Sequence, residues 1–179
     1  MKTGDQRQTG AAPASYPCAP PPGLDRAPTA IANDHGGYRA KRWLLPQLQA
    51  WGVPVEDFGS HDEEIVRYPH YAQAVCRAIR EGRFSRGILI CSTGIGMSIA
   101  ANKFPGIRAA LVCDHFSAVM TRRHNDANVL CLPGRLLGDF QLIHIVGAWL
   151  SESFEGGRHS ISLGLIQEIE REQFKSPVV

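Results

Sequence analysis

The sequence predicts an α/β protein: an open five-stranded parallel sheet in a three-layer α/β/α, Rossmann-like sandwich. From residue 29 onward, short apolar runs alternate with amphipathic segments, the pattern of stacked β-α units. One run, Gly87-Ile88-Leu89-Ile90-Cys91, is apolar on both faces, as a central parallel strand covered by helices on either side must be. Hydrophobic residues make up 44% of the 179 and charged residues 20%, enough for one domain with a sizeable core.

Residues 1–28 hold six of the twelve prolines and almost no large aliphatic side chains, so they read as a disordered tail ahead of a domain over 29–175. The domain opens with the strand TAIAN and a helix over roughly Gly37 to Trp51, stopped by Gly52. A strand over Val53 to Phe58 follows, then a loop from Gly59 to Arg67. Tyr68-Pro69 starts the next helix, which ends near Gly82, with proline in the first turn where it is tolerated. The central strand leads through a Gly-rich turn into a helix to about Phe104. A strand over Ile107 to Cys113, a helix to Asn125 and a strand over Asn128 to Leu132 come next, and helices over about Asp139 to Ser151 and after Arg158 complete the sandwich, with right-handed crossovers. In that last segment Ile161, Leu165 and Ile169 form a broad apolar stripe, more than a lone terminal helix leaves in water, which predicts packing across a partner subunit.

The net charge of +2 is not gathered into a basic run, which disfavours nucleic acid as a partner. No apolar stretch reaches the 18 or so residues that span a bilayer, and the N-terminus lacks the apolar run of a signal peptide, so a cytoplasmic location is expected. The five cysteines are scattered without a C-x-x-C pair, suggesting neither a disulfide framework nor a zinc site.

Ligands of open parallel sheets bind beyond the carboxyl ends of the strands. Of the five ends, Cys91-Ser92-Thr93-Gly94-Ile95-Gly96-Met97-Ser98 carries the strongest signal. A thiol at the strand tip is followed by glycines whose backbone N–H groups can approach an anion at a helix N-terminus. That setting favours a thiolate, and it puts donors where an enediolate oxygen would develop charge. The turn lacks both G-x-G-x-x-G and G-K-[ST], which disfavours NAD and ATP.

The run GILICSTGIGMSIAANKFPGIRAAL, with NDHGG, YPHYA, HNDANVL, GR and FEGGRH in the same order, resembles the ribose-5-phosphate isomerase B family over roughly residues 29 to 171. That superfamily also holds galactose-6-phosphate and allose-6-phosphate isomerases. The resemblance implies an aldose–ketose isomerase in which Cys91 moves a proton between C1 and C2 through a cis-enediolate. It implies that Thr93 and His124 open the sugar ring, a task suited to a group titrating near neutrality. Asp34 and His35 would meet the substrate's hydroxyls or phosphate, with Tyr68, Ser92 and Asn125 also lining the site. Gly94, Ile95, Gly96, Met97 and Ser98 would form the anion hole, and Arg135 and Arg158 would grip the phosphate. It further implies a homodimer or dimer of dimers whose active sites combine two subunits, with no metal or organic cofactor.

Two positions depart from the pattern: Arg67 stands where the family usually has Asp, and Ser162 where it often has a second arginine. Both bear on which sugar is taken. A tetrose or hexose phosphate isomerase, a silent sugar-phosphate-binding protein and a redox sensor using Cys91 are the rival readings. Cys76 and Cys131 sit at apolar positions and read as core, as do Trp43, Trp51 and Trp149 as core or interface; His61, His70, His144 and His159 read as ordinary histidines.

Overall fold

The computed structural model describes residues 18–174. Five strands, β1 (Thr29–Asn33), β2 (Val55–Asp57), β3 (Gly87–Cys91), β4 (Ala109–Leu111) and β5 (Val129–Pro133), form one parallel sheet in the order β2-β1-β3-β5-β4. The helices are α1 (Tyr38–Ala50), α2 (Tyr68–Arg80), α3 (Ile95–Ala101), α4 (His115–Arg123), α5 (Asp139–Ser151) and α6 (Arg158–Gln173). The central strand is the third of five, as its two apolar faces require.

Because side chains alternate along a strand, β3 sends Ile88 and Ile90 to one face and Leu89 and Cys91 to the other. The first face packs on α1, α4 and α5 through Leu44, Leu48, Ala118, Leu142 and Val146. The second packs on α2 and α3 through Ala72, Val75, Cys76 and Met97. None of the residues of α6 is buried.

The expected strand lengths hold for β1 and β3, whereas the two edge strands are shorter than the apolar runs suggest. Ile107 and Val112 are buried but lie beyond the paired residues of β4, with the Val112 N–H still reaching the Cys131 carbonyl at 3.1 Å. An edge strand has one neighbour only: on its open side Asn102 accepts from the Ala109 N–H and donates to its carbonyl, and just before the paired residues Asn128 accepts from the Arg108 N–H. The helix after the Gly-rich turn ends at Ala101 rather than Phe104, continuing only as turns, and α4 ends at Arg123 with His124 as its cap.

The expected boundary at residue 28 is corrected by residues 18–28, which pack on the body. Leu24 is buried, Asp25 donates its N–H to the Leu150 carbonyl, and Trp51 Nε1 donates to the Cys18 carbonyl at 2.7 Å. Arg86, almost wholly buried, binds the Asp25 carboxylate, the Asp25 and Ala27 carbonyls and the Thr29 hydroxyl, all at 2.8 Å. Proline-rich composition removes apolar area but leaves carbonyls to accept, and these are what the body holds. The rest of the expected tail, residues 1–17, lies outside the described residues.

Candidate active site

The order β2-β1-β3-β5-β4 places the topological switch between β1 and β3, so a crevice opens beyond their carboxyl ends, where Asn33-Asp34 and Cys91 sit. Asp34 Oδ1 accepts the N–H groups of Gly36 and Gly37 at 2.8 and 3.1 Å, folding the loop back over the tip of β3. The fit is close: a Cβ on Gly37 would stand 2.3 Å from the Ile90 carbonyl oxygen. The loop after β2 is fastened alongside by Lys41, buried on α1, which donates to Asp57 at 2.6 Å and to the Ser60 carbonyl at 2.7 Å. Burial pulls the Lys41 pKa down, and the hydrogen bond to Asp57 opposes it. His35 Nδ1 faces the Val66 N–H at 3.4 Å, tying the first loop to the second.

At the tip of β3 the Cys91 sulfur accepts the Gly94 N–H at 3.0 Å. Gly94 has φ 73°, a left-handed turn that brings its own amide back onto the thiol and caps α3. A Cβ there would also collide with Leu111. Among the five residues expected to form an anion hole, two amides are taken: Gly94 by the thiol and Ser98 by the Gly94 carbonyl. The Ile95 N–H faces the Thr93 hydroxyl at 3.4 Å, which leaves Gly96 and Met97 without an amide partner among the described residues. The Met97 side chain is core. Tyr68, at the start of α2, lays its ring over Gly96, where a Cβ would meet it at 2.9 Å. Thr93 is exposed beside the turn.

Ser92 and Cys91 hold the next loop by their carbonyls, which accept the Arg135 and Gly134 N–H groups at 3.2 and 2.8 Å. Arg135 then lines a cavity of about 470 Å³ with His35, Gly36, Arg39, Glu63 and Gly134. Arg39 and Glu63 pair at its rim, 3.0 Å apart. The cavity carries an excess of positive charge and suits an anionic group. Asp34, His35, Tyr68, Ser92, the Cys91 turn and Arg135 are thus gathered at one end of the sheet.

His124, Asn125 and Arg158 are elsewhere. Helix α4 starts beyond the carboxyl end of β4 and runs back about 13 Å over its nine residues, so His124 caps it at the amino end of the sheet. Asn128 confirms the placement, since its carbonyl accepts the N–H of Gly87, the first residue of β3. His124 therefore lies roughly a strand length, about 16 Å, from the level of Cys91. Glu155 donates its N–H to the Arg123 carbonyl at 3.0 Å, which brings Arg158 and the start of α6 to that same end. Asn125 lines a separate cavity of about 510 Å³ between β4 and α6, with Arg108 and Ile166. A single chain does not unite the two groups.

The second group contains residues that sequence reasoning passed over. His159, read as ordinary, stacks on His124 with centroids 4.1 Å apart and rings 10° from parallel. Glu155 Oε2 stands 3.8 Å from His124 Nε2 and 3.9 Å from His159 Nε2. The four-residue spacing of Glu155 and His159 was the available signal. The three side chains offer donors within 4.8 Å of one another. Stacked rings, however, point their lone pairs side by side, and a metal ion in the plane of one lies out of the plane of the other. Burial pulls the pKa of His159 down, helped by His124 and Arg158 and opposed by Glu155.

The remaining sequence candidates have structural tasks. Burial pushes the Cys76 thiol up to about 12 and Cys131 well above its ordinary range, so both are inert core residues. Asp114, at the end of β4, caps α4 by accepting the Ser117 N–H at 2.8 Å, and that hydrogen bond pulls its pKa down. Trp51 and Trp149 are buried and Trp43 packs against the same core.

Residues 29–166 match the family model described as Ribose/Galactose Isomerase. The chain is similar to ribose-5-phosphate isomerase B of Escherichia coli K12, 44% identical over 142 residues that cover 79% of this chain and 95% of that protein. Among solved structures it is similar to the ribose-5-phosphate isomerase B of Clostridium thermocellum, with 46% identity, a TM-score of 0.80 and coverage of 82% of this chain and 99% of that one. It is also similar to the Mycoplasma genitalium ribose-5-phosphate isomerase B with bound ribulose-5-phosphate, at 37% identity, a TM-score of 0.77 and coverage of 81% and 97%. With the thiol turn, the doubly wound sheet and a match over most of its length, the chain belongs to the ribose/galactose isomerase family.

Proposed function

We propose that the protein interconverts ribose 5-phosphate and ribulose 5-phosphate. The observation that carries the reading is the Cys91 turn, a thiol accepting a backbone N–H at 3.0 Å beside the unpartnered amides of Gly96 and Met97. In this reading the Cys91 thiolate takes the proton from C2 of the open aldose and the electron pair forms the cis-enediolate. The amides of Gly96 and Met97 hold the developing oxyanion, the hydroxyl proton passes from O2 to O1, and the thiol returns the carbon-bound proton to C1. Asp34 and His35 hold hydroxyls or phosphate and Arg135 takes phosphate oxygens, consistent with the cavity that His35 and Arg135 line.

The protein acts in this proposal as a cytoplasmic homodimer, or a dimer of dimers. Two features support assembly: the exposed apolar stripe of α6, and the separation of His124, Asn125 and Arg158 from Cys91 within one chain. His124 of the partner subunit, with Thr93, then opens the ring, and Arg158 of the partner subunit grips the phosphate. No described helix is long and apolar enough to cross a membrane. A second reading, an isomerase of a tetrose or hexose phosphate, is favoured by Ser162, an exposed residue one turn beyond Arg158 that offers no guanidinium.

Rates on four-, five- and six-carbon aldose phosphates for the wild type and Cys91→Ala test the proposal. Activity on ribose 5-phosphate that falls at least about 10²-fold with the thiol is expected. Activity confined to another sugar would select the second reading, and equal rates in both proteins would remove Cys91 as the base.

A further inference from the structure

Resting on that isomerase reading, we infer that Glu155 and His159 are positioning residues for His124 in the ring-opening step. The cluster is built rather than incidental. The Glu155 backbone is pinned to the end of α4 by its hydrogen bond to the Arg123 carbonyl. Arg123 in turn forks onto Glu152 at 2.6 and 3.0 Å and passes 3.8 Å from the second oxygen of Glu155. The short loop between α5 and α6 is thereby fastened to α4 from both sides, and the carboxylate is aimed at the two Nε2 atoms.

Opening a furanose breaks the bond between C1 and the ring oxygen. The anomeric hydroxyl gives up its proton as the carbonyl forms, and the ring oxygen takes a proton. An imidazole that takes part must present one nitrogen to the sugar and carry positive charge when it holds the extra proton. Glu155 answers both needs by charge: its carboxylate, 3.8 Å from Nε2, faces the imidazolium and favours the proton on that nitrogen, which leaves Nδ1 for the sugar. His159 fixes the plane of the ring, since a stacked neighbour 4.1 Å away stops it from swinging. Burial, with His124 and Arg158, holds its own pKa down, which disfavours a second positive charge stacked on the imidazolium of His124.

The chemistry separates this step from proton transfer at carbon. Ribose 5-phosphate closes to a furanose through its free O4, whereas the 2-ketose has its only suitably placed oxygen, O5, blocked by phosphate and stays open. Two rates on the full-length protein therefore test the inference: turnover of ribose 5-phosphate, and exchange of the C1 hydrogen of ribulose 5-phosphate with solvent deuterium. Glu155→Gln is expected to lower the first at least about tenfold and leave the second unchanged. Glu155→Asp should recover part of the loss, and His159→Phe, which keeps the stack, should lower turnover less than His159→Ala. If both rates fall together, Glu155 serves substrate binding or folding, and if neither falls the cluster is a surface contact; each result overturns the inference. A wild type that is inactive in both assays would overturn the isomerase reading and this inference with it, whereas Cys91→Ala should abolish both rates if that reading is right.

Discussion

The two ends of the described chain are held in opposite ways. At the N-terminal end, residues 18–28 have no periodic pattern, yet they are locked down by Trp51, by the Leu150 carbonyl and by three hydrogen bonds from buried Arg86 to Asp25 and Ala27. At the C-terminal end, α6 has sixteen residues and a clear apolar stripe, yet Ile161, Leu165 and Ile169 are 69%, 56% and 58% exposed. Its ties to the body are the stack of His159 on His124 and the Glu170 carboxylate, which accepts the Gly106 N–H at 3.1 Å. The N-terminal segment has found its partner within the chain. The C-terminal helix has not, although burying a side chain of that size is worth about 1.5–3 kcal/mol. A pattern states that a face must leave water and says nothing about what will cover it.

The sharpest way to test that contrast is complementation. If α6 and the end of α4 belong to a neighbour's site, Cys91→Ala and His124→Ala should each be nearly inactive alone. Refolded together they should regain about a quarter of the wild-type rate, the statistical share of intact sites in a two-fold dimer. A mixture that stays as inactive as its components would place both groups in one chain's service and break the comparison. Next in size, the pair Leu165→Asp and Ile169→Asp should weaken association by about 10²-fold or more, roughly 3 kcal/mol, seen by sedimentation as a shift toward monomer. Unchanged sedimentation would mean that the stripe is covered by something other than a second copy. The smallest effect is at the other end: removing residues 1–24 should cost about 2–4 kcal/mol and lower Tm by roughly 5–10 °C, with activity per folded molecule retained. Activity lost in step with the deletion would tie the segment to the site.

Residues far apart in the chain carried different amounts of legible information. β1 and β3 could be read to the residue because both are interior strands, buried along their whole length. The edge strands could not, because buried Ile107 and Val112 extend the apolar run past the residues that the register pairs with β5. Cys91 was legible because a strand-tip thiol before Gly94 and Gly96 is a local pattern, and the 3.0 Å contact from Gly94 closes within three residues. Glu155 and His159 were not: their significance lies in the stack with His124, more than thirty residues away in sequence.

The sequence by itself determined the α/β class, the number and order of the elements and the thiol turn, because periodicity and turn chemistry act over a few residues. Only the tertiary structure decided three things. It used carbonyls of a proline-rich segment as acceptors for a buried arginine. It left two amides of the expected anion hole free and occupied others. It put His124 at the opposite end of the sheet from Cys91, because a helix that follows a parallel strand must run back along the sheet and so carries its last residues away from the carboxyl edge.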